Sequence, residues 1–92
     1  MNEARSIETR RKRLKFRAWH RGTREMDLVV GRFADSVVPT LTEPALFEFE
    51  ALIEASDPDL YDWIVGATPP PATYDTETFR RLRAFHRKEG AK

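Results

Sequence analysis

Apolar residues recur along this chain at the spacing of one helical face, and no segment alternates apolar and polar positions as a β-strand does. A first helix is predicted from near Ser6 to Arg21-Gly22. A second is predicted from about Arg24 to Val38, ended by Pro39 because the residue before a proline avoids the helical conformation. The expected inward residues are Ile7, Leu14 and Ala18 in the first helix and Met26, Val30, Phe33 and Val37 in the second.

Two further helices carry start signals. Thr42 is the expected N-cap of the third, because its hydroxyl can accept a backbone N–H that has no partner within the helix. Asp57 is the expected N-cap of a short fourth helix, with Pro58 in its first turn and Gly66 at its end. Loss of the Asp57 cap is then expected to cost about 1 kcal/mol. The expected core residues are Leu46, Phe49, Ile53, Leu60 and Trp63, with Leu41 packed back onto Leu46.

Three consecutive prolines interrupt the helical pattern after Gly66, and residues 67–74 are predicted to form a stiff, extended connector without helix. A last helix is predicted from about Thr76 to Lys88, followed by a frayed tail, Gly90-Ala91-Lys92. Its expected inward residues are Phe79, Leu82 and either Phe85 or His86. The fold class is therefore expected to be all-α: one domain over residues 1–92, with an ordered core at about 6–88, built as a compact bundle of about five short helices.

Composition excludes several classes of function. The 92 residues contain no cysteine, and neither His20 nor His86 has a second ligand at helical spacing, so we expect no metal site. The four glycines form no phosphate-binding loop and no serine has a nucleophile signature, which argues against an enzyme. No apolar run approaches the roughly 20 residues of a transmembrane helix, and the N-terminus lacks the apolar stretch of a secretory signal. We therefore expect no membrane insertion and a reducing cytoplasm.

The net charge of +1 hides a strong asymmetry. Residues 1–24 carry nine Lys/Arg and two acids, residues 25–78 one Arg and twelve acids, and residues 79–92 six Lys/Arg and one Glu. This layout predicts either a fold whose own charges complement one another or the steering of a charged partner. The basic first helix, interleaved with Phe16 and Trp19, also matches the footprint of a nucleic-acid-binding protein. Both aromatic residues lie off the apolar face, so they would pack on a neighbouring helix or stay exposed, for example at a protein interface.

The segment between the first two helices, residues 21–27, combines a helix stop, a helix start and opposite charges; we call it the corner. Gly22 suits the left-handed conformation that ends a helix, and Thr23 suits an N-cap. The negative charge of Glu25 can interact favourably with the positive end of the second helix dipole. Gly22, Thr23 and Glu25 therefore also have a purely structural interpretation. Arg21 is needed for neither cap. Beside Glu25, it would present polar groups to a partner from a rigid part of the chain.

The corner and a later segment together resemble the SdhE-type assembly factors of succinate dehydrogenase and fumarate reductase, over about residues 11–85. The family signature R-G-x-x-E stands here at Arg21-Gly22-Thr23-Arg24-Glu25, followed by Met26-Asp27-Leu28. A second signature, D-P-D-L-aromatic-x-W, stands at residues 57–63, and Gly31-Arg32-Phe33-Ala34 is typical of the bacterial and mitochondrial branch. The first signature alone would be weak, but both in one small helical chain make a specific match.

The resemblance implies a five-helix bundle that promotes covalent attachment of FAD to the flavoprotein subunit of succinate dehydrogenase or fumarate reductase. In that family the flavoprotein's own histidine attacks the flavin, and the assembly factor binds the immature subunit and favours a reactive arrangement. The resemblance therefore implies neither a catalytic residue nor a cofactor of its own. We expect a monomer in the bacterial cytoplasm, or in the mitochondrial matrix of a eukaryote. Carried over to this chain, the partner-binding residues would be Arg21, Gly22, Arg24, Glu25 and Asp27, with Asp57 and Asp59 as a second contact patch.

Two other functions stay open. Some members of the family have been described as antitoxin-like, and a nucleic-acid-binding or antitoxin-like regulator would use the basic first helix, with binding that falls steeply as salt rises. Direct carriage of FAD would need an aromatic-lined pocket, for which a bundle of this size has little interior.

Overall fold

The computed structural model describes residues 3–90, with the side chains of residues 6–89. Within this range five α-helices follow one another: α1 (Glu3–Trp19), α2 (Arg24–Val37), α3 (Glu43–Ile53), α4 (Asp57–Val65) and α5 (Glu77–Gly90). Two short 3-10 turns, Val38–Thr40 and Ala72–Tyr74, lie after α2 and before α5. The predicted all-α class is confirmed, since residues 3–90 contain no strand. No helix in this range is long and apolar enough to cross a membrane.

Four predictions about where segments begin, end or stay extended are wrong. The first helix already begins at Glu3, because the residues before Ser6 include good helix formers, and it ends at Trp19 rather than at Arg21-Gly22. The connector is not wholly extended, since the Tyr74 N–H donates to the Pro71 carbonyl at 2.9 Å and closes a 3-10 turn just after the prolines. The last helix runs through Gly90, so this residue does not belong to a frayed tail. The rest of the predicted tail, residues 91–92, lies outside the described residues.

α1 and α2 form an antiparallel hairpin held by a close approach at its closed end. A Cβ built on Gly31 would come within 2.3 Å of the Trp19 ring, so the missing side chain lets the indole lie against the backbone of α2. The Trp19 indole N–H also donates to the Asp35 carboxylate at 3.1 Å. This settles one open alternative: Trp19 packs on a neighbouring helix, whereas Phe16 stays 63% exposed.

The core lies where the five helices meet, since each of them contributes buried apolar residues. The Phe33 ring makes edge-to-face contacts with Phe49 and Phe85, at centroid distances of 5.4 and 5.6 Å. Every predicted inward residue of α2, α3 and α4 is buried, as are Leu14, Ala18, Phe79 and Leu82, whereas Ile7, Phe85 and His86 are half-buried. The helical periodicity therefore identified the core correctly.

Ion pairs join α1 to α3 along their length. The Arg10 guanidinium donates to both carboxylate oxygens of Glu50, at 2.7 and 3.2 Å, and Arg17 pairs with Glu54 at 2.6 Å. The two helices therefore run in the same direction. The hydrogen bonds that Arg10 donates to Glu50 favour the charged guanidinium and raise the pKa of Arg10 above its ordinary value.

Candidate functional site

The predicted cap at Thr23 is confirmed, whereas Gly22 does not end the first helix as predicted, because α1 already ends at Trp19. Gly22 has φ of +117°, a region that side chains with a Cβ rarely adopt. Thr23 is the N-cap of α2, and its hydroxyl accepts the Met26 N–H at 3.2 Å. Asp27 adds a third restraint, because its carboxylate accepts the backbone N–H of Arg21 at 2.6 Å. The corner is therefore tied at both ends before any partner is considered.

The Arg21 side chain points into the protein rather than away from it. It is 7% exposed, and its Nε donates to the Asp57 carboxylate at 2.8 Å. Its Nη1 and Nη2 donate to the backbone carbonyls of Ile53 and Ala55, the latter at 2.7 Å. Arg21, which neither helix cap requires, thus connects the corner to the junction between α3 and α4.

Asp57 is not the N-cap of α4, which corrects the prediction made from the Asp-Pro pair. Ser56 is the N-cap, and its hydroxyl accepts the Asp59 N–H at 3.4 Å. Asp57 occupies the first helical position, and its carboxylate turns to Arg21 instead. The pattern Ser-x-x-Asp at residues 56–59 is a recognised helix-start signature, so the sequence held a signal for this cap.

The candidate residues separate into a tied group and an exposed group. Arg21, Gly22, Asp27 and Asp57 lie together: a Cβ on Gly22 would stand only 3.8 Å from an Asp57 carboxylate oxygen. The side chains of Arg24, Glu25 and Asp59 are exposed and, within the described part of the chain, have no ion-pair partner. The exposed group holds the polar side chains that are free to meet another molecule.

Next to the corner lies an open groove of about 330 Å³. The exposed Phe16 ring stacks on His20 with 4.0 Å between ring centroids, and both line this groove. The His20 Nδ1 lies 2.6 Å from the Phe16 carbonyl, so Nδ1 carries the hydrogen of this bond. The other lining residues are Arg17, Arg21, Ile53, Ala55, Ser56 and Asp57. No local pattern in the sequence indicated that α1 and the α3–α4 junction would border one groove.

Of the six α1 cations whose side chains the structure describes, four are paired or hydrogen-bonded within the fold, and Lys12 and Arg13 are exposed. Arg10, Arg17 and Lys15 pair with Glu50, Glu54 and Asp35, and Arg11 donates to the Leu41 carbonyl. Of the two interpretations of the charge asymmetry, these pairs support self-complementarity, and no observation on the described residues favours nucleic-acid binding. Among residues 6–89 no cluster of His, Asp or Glu has the arrangement of a metal site.

Comparison of the sequence with known proteins places this chain in a family. Residues 12–86 match the family described as the flavinator of succinate dehydrogenase. The chain is 42% identical over 77 residues to the FAD assembly factor SdhE of Acetobacter pasteurianus, an alignment that covers 84% of this chain and 71% of that protein.

Two mitochondrial relatives, both called succinate dehydrogenase assembly factor 2, are longer than this chain. The protein of Dictyostelium discoideum is 35% identical over 82 residues, which cover 89% of this chain and 58% of the relative. The protein of Cryptococcus neoformans is 31% identical over 84 residues, which cover 90% and 48%. The chain thus spans about half the length of these mitochondrial proteins. With about four fifths of its residues inside the family match, this chain belongs to the family described as the flavinator of succinate dehydrogenase.

Proposed function

We propose that this protein is an accessory factor that binds the flavoprotein subunit of succinate dehydrogenase, or of fumarate reductase, and promotes the covalent attachment of FAD. The observation that carries the proposal is the corner: the family signature lies on a tied backbone, with Arg24 and Glu25 exposed beside Gly22. The names of the family and of its relatives point to the same function.

The proposed mechanism is a shift in the population of client conformations. A factor that binds one arrangement of the flavoprotein more tightly than the others raises the population of that arrangement. Glu25 supplies a carboxylate for charge-assisted hydrogen bonds across the interface, and Gly22 lets the two backbones approach closely. In this proposal the bond to the flavin is made within the client, and the factor contributes neither a catalytic residue nor a cofactor of its own.

The proposal includes a setting for this activity. The protein acts as a monomer, without membrane insertion and without nucleic acid, where the flavoprotein subunit is matured. That place is the cytoplasm in bacteria and the mitochondrial matrix in eukaryotes.

The test is in-gel flavin fluorescence of purified apo-flavoprotein incubated with FAD, with and without this protein. We expect faster covalent labelling in its presence, and labelling close to the unassisted level with Glu25→Ala or Gly22→Arg. Glu8→Ala is the matched control, because Glu8 is another exposed glutamate, on α1 and away from the corner, and it should leave labelling unchanged. Full activity of both corner variants would show that the corner is only a helix junction.

A further inference from the structure

The environment of the Arg21 guanidinium is built from three segments of the chain. Ile53 is the last residue of α3, so its carbonyl is one of those that the helix leaves without a partner. Asp57 begins α4, where the helix dipole favours a negative charge. Arg21 therefore lies between the negative end of one helix and an acid at the positive end of the next, and it neutralises both.

We infer that Arg21 and Asp57 are positioning residues, which set the conformation of the corner for the client without touching it. This inference rests on the function proposed above and deepens it. It also links the two sequence signatures physically. Asp57, which begins the D-P-D-L signature, accepts a hydrogen bond from Arg21, which begins the R-G-x-x-E signature 36 positions earlier. Gly22 and Glu25 remain the contact residues.

Three observations favour positioning over direct contact for this pair. Arg21 is 7% and Asp57 21% exposed, so little of either side chain is available to a partner. Each of the three guanidinium nitrogens already donates a hydrogen bond within the protein. The backbone N–H of Arg21 is bound as well, by Asp27, so both ends of this residue are fixed.

The geometry also requires arginine rather than another cation. Three acceptors surround one planar group, and a lysine ammonium is a single point that cannot reach all three with the same backbone. Arg21→Lys keeps the positive charge but loses the planar set of three donor nitrogens, so this variant tests the hydrogen-bond arrangement and not the charge.

The decisive experiment is a double-mutant cycle on the affinity for apo-flavoprotein, with Arg21→Lys, Asp57→Asn and the combined variant. We expect each single variant to bind about tenfold more weakly, since each breaks the same Arg21–Asp57 contact that holds the corner. The double variant should bind no more weakly than the weaker of the two single variants, because the contact can be lost only once. Asp57→Glu, which keeps the carboxylate, should recover part of the loss. If the two losses multiply to about a hundredfold, both residues contact the client independently and the inference is wrong.

Two matched controls separate the arrangement from general effects of charge. Glu77→Gln removes an exposed acid at the start of another helix, α5, and Arg17→Gln breaks an exposed α1–α3 ion pair one turn before Arg21. Neither should change the affinity. Asp59→Asn removes the other acid of the predicted contact patch, two residues along α4. A loss with Asp59→Asn equal to that with Asp57→Asn would instead support an acidic contact patch and would overturn the positioning role.

A second measurement, on the free protein, shows whether the pair acts on the corner. Amide hydrogen exchange in the corner should become faster in Asp57→Asn, with helicity by circular dichroism unchanged. Unchanged exchange there would overturn the inference, whatever the affinity. If the wild-type protein does not bind the flavoprotein at all, the proposed function fails. If it binds and Asp57→Asn binds equally well, only the positioning role fails.

Discussion

Two glycines near the hairpin of α1 and α2 are required for different physical reasons. Gly22 is exposed, and the nearest atom to an added Cβ lies 3.8 Å away, so there is room for a side chain at this position. The constraint is instead the backbone φ angle of +117°, which residues with a Cβ rarely adopt. Gly31 is buried in regular helix, and its constraint is the Trp19 ring. The first glycine is needed for backbone conformation and the second for close packing.

Substitution of either glycine should lower stability, by different routes. Gly31→Ala forces the indole away from α2 and should cost about 1–3 kcal/mol, the usual range for overpacking. Gly22→Ala strains only the local backbone and should cost about 1–2 kcal/mol. Urea unfolding measures both. Near-UV circular dichroism should change mainly with Gly31→Ala, because only that variant displaces a tryptophan; an unchanged spectrum would contradict the packing argument.

The cap of α4 gives a second prediction at this scale. Ser56→Ala removes the hydroxyl that accepts the Asp59 N–H, and we expect a loss of about 0.5–1 kcal/mol, since this bond is long at 3.4 Å. Thermal unfolding checks it, with Ser36→Ala on the exposed face of α2 as the control. A loss no greater than that of the control would mean that the hydroxyl contributes nothing as a cap.

At the scale of the helices, local signals predicted most of the architecture. The apolar stripe of α2 and the cap at Thr42 depend on neighbours within one or two turns, so the sequence contains them in full. The errors arose where the signal was weak or nonlocal. The Asp-Pro pair suggested the wrong cap, and the turn after the prolines is closed by a backbone bond that no residue type marks.

The candidate site also combines local features, which the sequence predicts, with a contact between distant residues, which it does not. The conformation of Gly22 and the cap at Thr23 were predictable because they are local. The pairing of Arg21 with Asp57 was not, because it depends on how α1 and α2 pack against the α3–α4 junction. The partner-binding roles of the candidate residues stay a prediction.

The two α1–α3 ion pairs should differ in strength. Arg10 and Glu50 are 25% and 32% exposed and form a two-point contact, whereas Arg17 and Glu54 are 42% and 63% exposed. We expect Glu50→Gln to cost up to about 1 kcal/mol and Glu54→Gln a few tenths at most. Urea unfolding of the two variants compares them directly, and equal losses would show that exposure does not decide the difference.

For the whole molecule, internal pairing of its basic and acidic segments predicts a particular response to salt. Salt screens exposed pairs, so the free energy of unfolding should fall by about 1 kcal/mol between low and high salt. The double variant Glu50→Gln/Glu54→Gln should lose less over the same range, because two of the pairs are gone. A wild-type stability that does not change with salt would argue that the α1 cations are neutral to folding.

The parallel pairing of α1 with α3 also has a consequence during synthesis. Arg10 leaves the ribosome 40 residues ahead of Glu50, the carboxylate that binds it in the folded protein. Until α3 has been made, Arg10 and Arg17 of the nascent α1 therefore lack their acidic partners, whereas Asp35 of α2 is already available to Lys15. Completion of α3 supplies those partners from within the chain, so the order of translation determines when these two ion pairs can form and help α1 to join the bundle.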